Sequence, residues 1–402
     1  MVGVDQAAAS DWAGSGLAYL TGPPDGEPDF SRAAVLAEAR RVTADIAGLL
    51  GVEVDAATML AGRAGILGLT RNGRIAAGGA TRLLATADGW AAIALPRAED
   101  VAALPALVEA DAVPDDPWTL LFGWAATRST ETVVARGQLL EIAVAGLEEV
   151  SAQPPAVRRS GGAARPRGVD GLLVADMSSL WAGPLCAQLL ARAGAVVVKV
   201  ESPNRPDGTR SGEPAFFDWM NFGKLSYTVD FDDDAGALRQ LLNTADIVIE
   251  GSRPAALRRR QLSADDVPGR AGRIWLRISG YRGQPYRSAF GDDAAVAGGL
   301  VGAGTQGPVF CGDAIADPLS GLEAARAVGQ SLHRGGGELI DVSMAQVAAT
   351  YAALPRTSRA LSSSAIPVAR PQPPPAGPSA SPLGADNAAV RHIVSERLCT
   401  PC

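Results

Sequence analysis

Histidine is nearly missing from this chain of 402 residues, which carries only His333 and His392. Two histidines leave little room for a histidine-based catalytic triad or a histidine-rich metal site. Whatever chemistry occurs must run mainly on carboxylates, backbone dipoles, lysine and arginine. Cysteine is also scarce. The four cysteines, at 186, 311, 399 and 402, are scattered and form no disulfide framework, so a reduced, cytoplasmic chain is expected. The terminal "CTPC" has CxxC spacing but no second pair, and reads as neither a metal nor a redox site. No run approaches the roughly 18 apolar residues of a membrane span. The start, "MVGVDQAAASDWAG", lacks a positive n-region and an apolar h-region, so it is not read as a secretory signal. Positive charge is in the minority, with 36 Lys and Arg against 43 Asp and Glu. That balance argues against nucleic acid or an anionic membrane as the main partner. The basic run "LRRRQL" at 257–262 reads as a solvated helix face.

What is present suffices for two or three domains and a sizeable core. Residues 151–168, rich in Pro, Gly and Arg, read as a linker. Residues 355–402 read as a Pro/Ser-rich, mostly extended tail ending in one short helix, "NAAVRHIVSERL". Between them, in 169–354, short β-rich runs alternate with helical periods. "LLVAD" (172–176), "AVVVKVE" (195–201), "DIVIEG" (246–251), "RIWLRISG" (273–280) and "ELIDVSM" (338–344) read as strands. "PLCAQLLARAG", "DDDAGALRQLLN" and "PLSGLEAARAVGQSL" read as helices between them. The expected fold class is α/β, with a Rossmann-like, open and largely parallel sheet. Residues 1–150 differ and are expected to form a second, smaller α+β domain. A helix spans about 33–50, an Asp-Gly hairpin lies in "RLLATADGWAAIAL" (82–95), and helices follow near 117–126 and 130–142.

A weak internal echo links "DWAGSGLAYLTGPPDGEPDF" (11–30) with "DDAAVAGGLVGAGTQGPVF" (292–310). It is either a chance likeness of Gly/Ala-rich segments or a degenerate second copy of one module. After the second copy comes Asp317, followed by Pro318 at a helix start. The first copy has no matching aspartate. Asp before Pro at a helix start is an ordinary N-cap arrangement. A carboxylate there also sits in a positive local field. The glycine-rich run just upstream lets backbone approach a ligand closely. Asp317 is thus either a cap or a nucleophile. Asp313, four residues earlier, is either a solvated loop residue or a second carboxylate that would raise its neighbour's pKa. The turn "WAGP" at 181–184 joins a strand end to a helix start, where ligands of open α/β sheets bind.

Taken in order, "LWAGPLCAQLLARAGAVVVKVESPNRPDGTR", "NFGKLSYTVDF", "ADIVIEGSRPAAL", "RISGY", "GDDAAVAGGLVG" and "DPLSGLEAARAV" resemble the class III (CaiB/BaiF) CoA-transferases. The resemblance covers about 170–350. The hairpin region resembles that family's small domain, here placed before the Rossmann-like half rather than after it. The resemblance implies that Asp317 attacks an acyl-CoA thioester, giving a mixed anhydride and CoA thiolate. The thiolate returns to form an aspartyl-CoA thioester, an acceptor acid attacks, and a new acyl-CoA leaves. It implies CoA lying against Trp181, Ala182, Gly183 and Pro184, with Arg210, Lys224 and Arg253 as phosphate or pantetheine contacts. Gly298 and Gly299, in "GGLVGAG", would supply oxyanion donors. It implies no metal and no tightly bound cofactor, acyl-CoA and a carboxylic acid as partners, and a homodimer. Departures are Leu225 and Ser202 where basic residues are common, "EGSRPA" for "ENFRPG", and no small-domain glycine loop unless Gly78 and Gly79 stand in. Two other readings stay open. Racemases of the same fold carry "GHD" where this chain has "GDD", so Asp292 takes the histidine's place. A non-catalytic CoA-binding or assembly protein is the third.

Overall fold

The structure is a computed structural model that describes residues 2–112, 114–251, 254–357 and 366–399. Seven strands form its main sheet, side by side in the order Ala156–Arg159, Glu338–Ser343, Ile274–Ser279, Ile247–Glu250, Leu173–Met177, Val196–Glu201 and Leu225–Thr228. All neighbours are parallel except the first pair. Counted along the chain from Leu173, the parallel strands run 3-2-1-4-5-6, the order of the doubly wound nucleotide-binding folds. The order reverses between Leu173–Met177 and Ile247–Glu250. Both strands are buried along their whole length, because helices cover both faces.

Alternating side chains on these strands feed two cores. Val174, Ile247, Ile249, Leu276 and Ile340 point to one face, against helices Ala182–Arg192 and Ala316–His333. Leu173, Ala175, Val198 and Val248 point to the other. There they meet Leu238, Leu241 and Leu242 of helix Ala235–Thr244, and Val390 and Val394 of helix Asn387–Cys399.

Two boundaries differ from the sequence reading. Residues 2–67 do not join the hairpin in a smaller domain. Trp12, Leu36, Ile46 and Leu60, on helices Val2–Gly14, Ala34–Leu50 and Ala56–Leu67, are buried in the same core as Val174 and Leu319. The apolar stripe of helix Ala34–Leu50 packs on helix Ala316–His333 instead. The smaller unit is therefore the antiparallel sheet of Thr81–Ala85, Trp90–Ala94 and Ala143–Gly146. Helices Trp118–Ala126 and Thr130–Leu139 close its own core over Leu84, Ile93 and Val144. The stretch 151–168 is also more than a linker. Ala156–Arg159 is the antiparallel edge strand of the main sheet. Its side chains are exposed and enter no core, so no apolar period announces it.

The Pro-rich segment 366–386 has no regular structure but is tied down. Ala369 N–H donates to Ala13 O at 3.0 Å, Ala380 N–H to Asp218 Oδ1 at 2.9 Å, and Gly384 N–H to Ser226 Oγ at 3.1 Å. It crosses helix Ala56–Leu67 at Gly65, where a Cβ would lie 2.4 Å from the Gln372 carbonyl carbon. Only glycine admits that crossing. The segment thus presses the helix carrying Arg63 against the main domain.

Candidate active site

Helix Ala316–His333 begins beside the start of helix Gly291–Ala297, and the two first turns bring carboxylates together. Asp317 lies in the first turn of the longer helix and keeps part of its surface open. It is not the N-cap; Ile315 holds that place and makes no side-chain cap bond. The Asp317 amide donates to Ala314 O at 2.9 Å, and its carboxylate accepts from the Gly291 N–H. Gly291 is required there, because a Cβ would stand 2.4 Å from both Asp317 Oδ2 and Ala314 O.

Asp292 follows Gly291 and faces the same turn. Its Oδ1 accepts from Ala314 N–H at 3.0 Å. Ala314 has φ 42°, a left-handed conformation that costs a non-glycine residue about 1 kcal/mol or more. The Asp292 bond helps to hold it there. The next residue, Asp293, points away, accepting from Phe290 N–H at 2.7 Å as a capping contact.

Asp313 is fully buried, so it is a carboxylate of the site and not a solvated loop residue. Both its oxygens accept from Arg63 Nη1, at 2.7 and 2.8 Å. Arg63 comes from helix Ala56–Leu67, 250 positions away in the chain. Its guanidinium carbon lies 5.5 Å from the ring centres of both Trp181 and Phe216, and those two rings meet edge to face at 5.4 Å. Gly78 approaches from the other side, its Cβ position 3.9 Å from Arg63 Nη2. A Cβ on Gly79 would meet nothing within 4 Å.

The charges interact strongly. Burial pushes the Asp317 carboxyl up to about 7; the Arg63 cation pulls it down, while Asp292 and Asp313 push it further up. Burial likewise raises Asp292 to about 7, helped by Asp313 and opposed by Arg63, the Ala314 N–H and the Thr81 hydroxyl. Asp313 is raised by burial and held back by Arg63. Three carboxylates thus share the field of one guanidinium. The balance places the Asp317 carboxyl between its acid and ionised forms near neutrality.

The other residues named from sequence fall into three groups. Trp181, Ala182, Gly183 and Pro184 open helix Ala182–Arg192 next to Phe216 and Arg63, at the reversal of the sheet order. Trp181 Nε1 is buried without a hydrogen-bond partner. Lys224 and Arg210 are not free to meet a ligand. Lys224 is buried, and its Nζ donates to Asp176 Oδ2 at 2.9 Å, Pro184 O at 3.0 Å and Asn221 Oδ1 at 3.1 Å. Arg210 forks onto Glu201 at 2.6 and 2.9 Å and lies 4.3 Å over Phe217. Arg253 lies outside the described residues. Gly298 and Gly299 offer no oxyanion donors. Their N–H groups bond to Ala294 O and Val296 O, and a Cβ on Gly298 would stand 2.4 Å from Ala349 N. These glycines permit close packing rather than ligand approach, because the run after them folds back as the hairpin Gly302–Gly304 with Gly307–Val309.

A cleft of about 1240 Å³ opens on the outer side of helix Ala182–Arg192, bordered by Leu185, Trp219 and Pro374. Glu53, Asp55, Glu213 and Asp218 line it against one cation, Arg192, which makes it a poor phosphate site. Among the described residues, no group of three or more His, Cys, Asp or Glu is placed to hold a metal, and no helix is long and apolar enough to cross a membrane.

Sequence reasoning missed Arg63, Phe216 and Thr81. No spacing links Arg63 to Asp313, since the pair forms only through tertiary packing.

Comparison with known proteins agrees with the motif order. The model of CoA-transferase family III matches residues 169–380, just over half of the chain. The succinyl-CoA–D-citramalate CoA-transferase of Chloroflexus aurantiacus is 31% identical over 200 residues, covering 44% of this chain and 50% of that protein. The formyl-CoA:oxalate CoA-transferase of Rhodopseudomonas palustris is 30% identical over 199 residues, covering 44% and 46%. The crystal structure of the Mycobacterium tuberculosis protein Rv3272 aligns over 47% of this chain and 57% of its own, with 30% identity and a TM-score of 0.42. This chain spans about half the length of the curated relatives it matches. The matched half contains Asp317, Asp313 and Trp181; Arg63 lies outside it.

Proposed function

The chain belongs to CoA-transferase family III, and from that premise we propose that it moves CoA from an acyl-CoA to a carboxylic acid, with Asp317 as the nucleophile. The observation that carries this reading is the Asp317 carboxylate itself. It stands at a helix start, partly open, with its pKa near neutrality and a cation close by. A nucleophile that must also be a good leaving group is well served by a pKa near the working pH.

In the first step an Asp317 oxygen attacks the thioester carbonyl carbon. The C–S bond breaks, and CoA leaves as thiolate from a mixed anhydride. The thiolate then attacks the Asp317 carbonyl and releases the donor acid, leaving an aspartyl-CoA thioester. The acceptor carboxylate attacks that thioester and frees the thiolate again. The thiolate attacks the acceptor's acyl carbonyl, which yields the new acyl-CoA and the Asp317 carboxylate. The chain's own residues keep Asp317 aligned through Gly291 and supply a compensating charge through Arg63.

In this reading the thioester end of CoA approaches along Trp181, Ala182, Gly183 and Pro184. These four residues are buried in the structure, so the path rests on the family resemblance. Lys224 and Arg210 have buried partners and are left out of it. We also assign the chain to the cytoplasm and to a homodimer, on the family resemblance, with light scattering as the check on the latter. The direct test of transfer is isotope exchange. Labelled succinate, glutarate or oxalate is incubated with the matching acyl-CoA and the protein. Label entering the thioester in wild type but not in Asp317→Ala supports transfer; no exchange with any pair contradicts it.

One observation favours a second reading. Asp292 and Asp317 flank Ala314 with similarly raised pKa values, as a two-base racemase site would require. Deuterium incorporation from heavy water at C2 of an (R)-2-methylacyl-CoA would support it.

A further inference from the structure

The Asp292, Asp313 and Asp317 cluster creates a difficulty for the proposed reaction. An acceptor acid arrives as an anion, and these carboxylates repel it. Arg63 is the cation with the largest influence on Asp317. Its geometry leaves capacity for a ligand. Nη1 holds both oxygens of Asp313, while Nε and Nη2 take up no hydrogen bond among the described residues. The Trp181 and Phe216 rings flank the guanidinium, and about a quarter of its side chain stays exposed. A guanidinium anchored on one side and open on the other is suited to a second carboxylate, because its fork matches two oxygens.

We propose that Arg63 binds the carboxylate of the acid substrate and holds it beside Asp317, with Asp313 and the Trp181–Phe216 pair fixing the guanidinium. The inference deepens the CoA-transfer reading and rests on it. It makes the N-terminal region, which the family match does not cover, part of the site. Asp313 becomes a positioning residue acting through Arg63. The same placement explains why an acid is recognised without help from Lys224 or Arg210, whose charges are neutralised internally.

The test measures binding and the first half-reaction separately. Calorimetry follows succinate, glutarate and oxalate binding to wild type, Arg63→Gln and Arg63→Lys, each with and without CoA. Hydroxylamine trapping with succinyl-CoA is run on the same proteins over a pH series, so that a shifted Asp317 titration is separated from a lost half-reaction. Thermal melts report on folding. Wild type is expected to bind at least one of these acids, Arg63→Gln to bind it roughly 10- to 100-fold more weakly, and Arg63→Lys to fall between. Trapped hydroxamate should change less than the acid affinity. The proposal is overturned if none of the three acids binds wild type, or if Arg63→Gln binds the acid as wild type does. It is also overturned if Arg63→Lys, melting like wild type, binds no better than Arg63→Gln. Absence of hydroxamate from wild type, with acid binding still dependent on Arg63, would remove the transfer reading and leave the acid site standing. Hydroxamate in wild type with acid binding indifferent to Arg63 would do the reverse.

Discussion

The regions 11–50 and 291–333 contain the weak echo between 11–30 and 292–310, and each ends in a long helix. The two long helices, Ala34–Leu50 and Ala316–His333, pack together, with Leu49 against Gly329. Their buried charges are treated differently. In the first segment Arg32 is buried, and its guanidinium donates to three carbonyls: Val301 at 2.8 Å, Gly299 at 2.6 Å and Ala352 at 2.7 Å. Every guanidinium nitrogen has a partner, and such a group only holds segments together. In the second, Asp292, Asp313 and Asp317 share one arginine and remain protonatable near pH 7 or above their ordinary range. A buried charge that is fully satisfied is structural; one that is only partly compensated retains free energy that a ligand or a reaction can use.

The largest test of that contrast is Asp317→Ala. It should lower transfer by about 1000-fold or more while the fold melts near the wild-type temperature. A loss below tenfold would place the chemistry elsewhere. On the inert side, Arg32→Met should remove the side-chain donor from the Val301 and Ala352 carbonyls, while the Gly299 carbonyl keeps the Val301 N–H at 3.0 Å. The expected cost is about 3 kcal/mol in denaturant unfolding, with no shift in the pH profile of whatever activity remains.

The third test concerns pH. Hydroxamate formation should rise through an apparent pKa of about 7, as Asp317 ionises. Arg63 pulls that pKa down, so Arg63→Gln should move the acid limb upward. A downward shift would mean that Arg63 does not act on Asp317.

The fourth uses Asp293, which burial raises to about 8. Its folded pKa exceeds its unfolded value near 3.9. Its contribution to stability is therefore fully present below pH 4 and is lost as pH climbs toward 8. Asp293→Asn keeps an acceptor for Phe290 N–H and lacks this titration. Its melting temperature relative to wild type should rise between pH 5 and pH 8. The smallest effect is expected for Ala314→Gly. Relief of left-handed strain and the added freedom of the unfolded chain roughly cancel, so stability should stay within about 0.5 kcal/mol.

Much of the fold was legible because its signals are local. The strands at 173–177, 247–250 and 274–279 are short apolar runs, and the helices between them carry clear periods. The hairpin at 81–94 follows from its Asp-Gly turn. The place of Asp317 at a helix start was legible from the Asp-Pro step that precedes the helical period. The rest depends on tertiary packing. Lys224 and Arg210 look like free cations in sequence, and only the folded chain pairs them with Asp176 and Glu201. Gly298 and Gly299 look like a ligand loop, yet they serve helix packing. Asp313 resembles a surface residue until Arg63 reaches it from 250 positions away. The exposed edge strand 156–159 shows no period because none of its side chains is buried.

The most direct measurement is the location of the covalent adduct. The protein is incubated with a panel of acyl-CoAs, including succinyl-CoA, in the presence of hydroxylamine, then digested and analysed by mass spectrometry. The expected result is a hydroxamate on the side chain of Asp317, formed only when an acyl-CoA is present. A hydroxamate on Asp292 or Asp313, or none with any thioester in the panel, would contradict the assignment of Asp317 as the nucleophile.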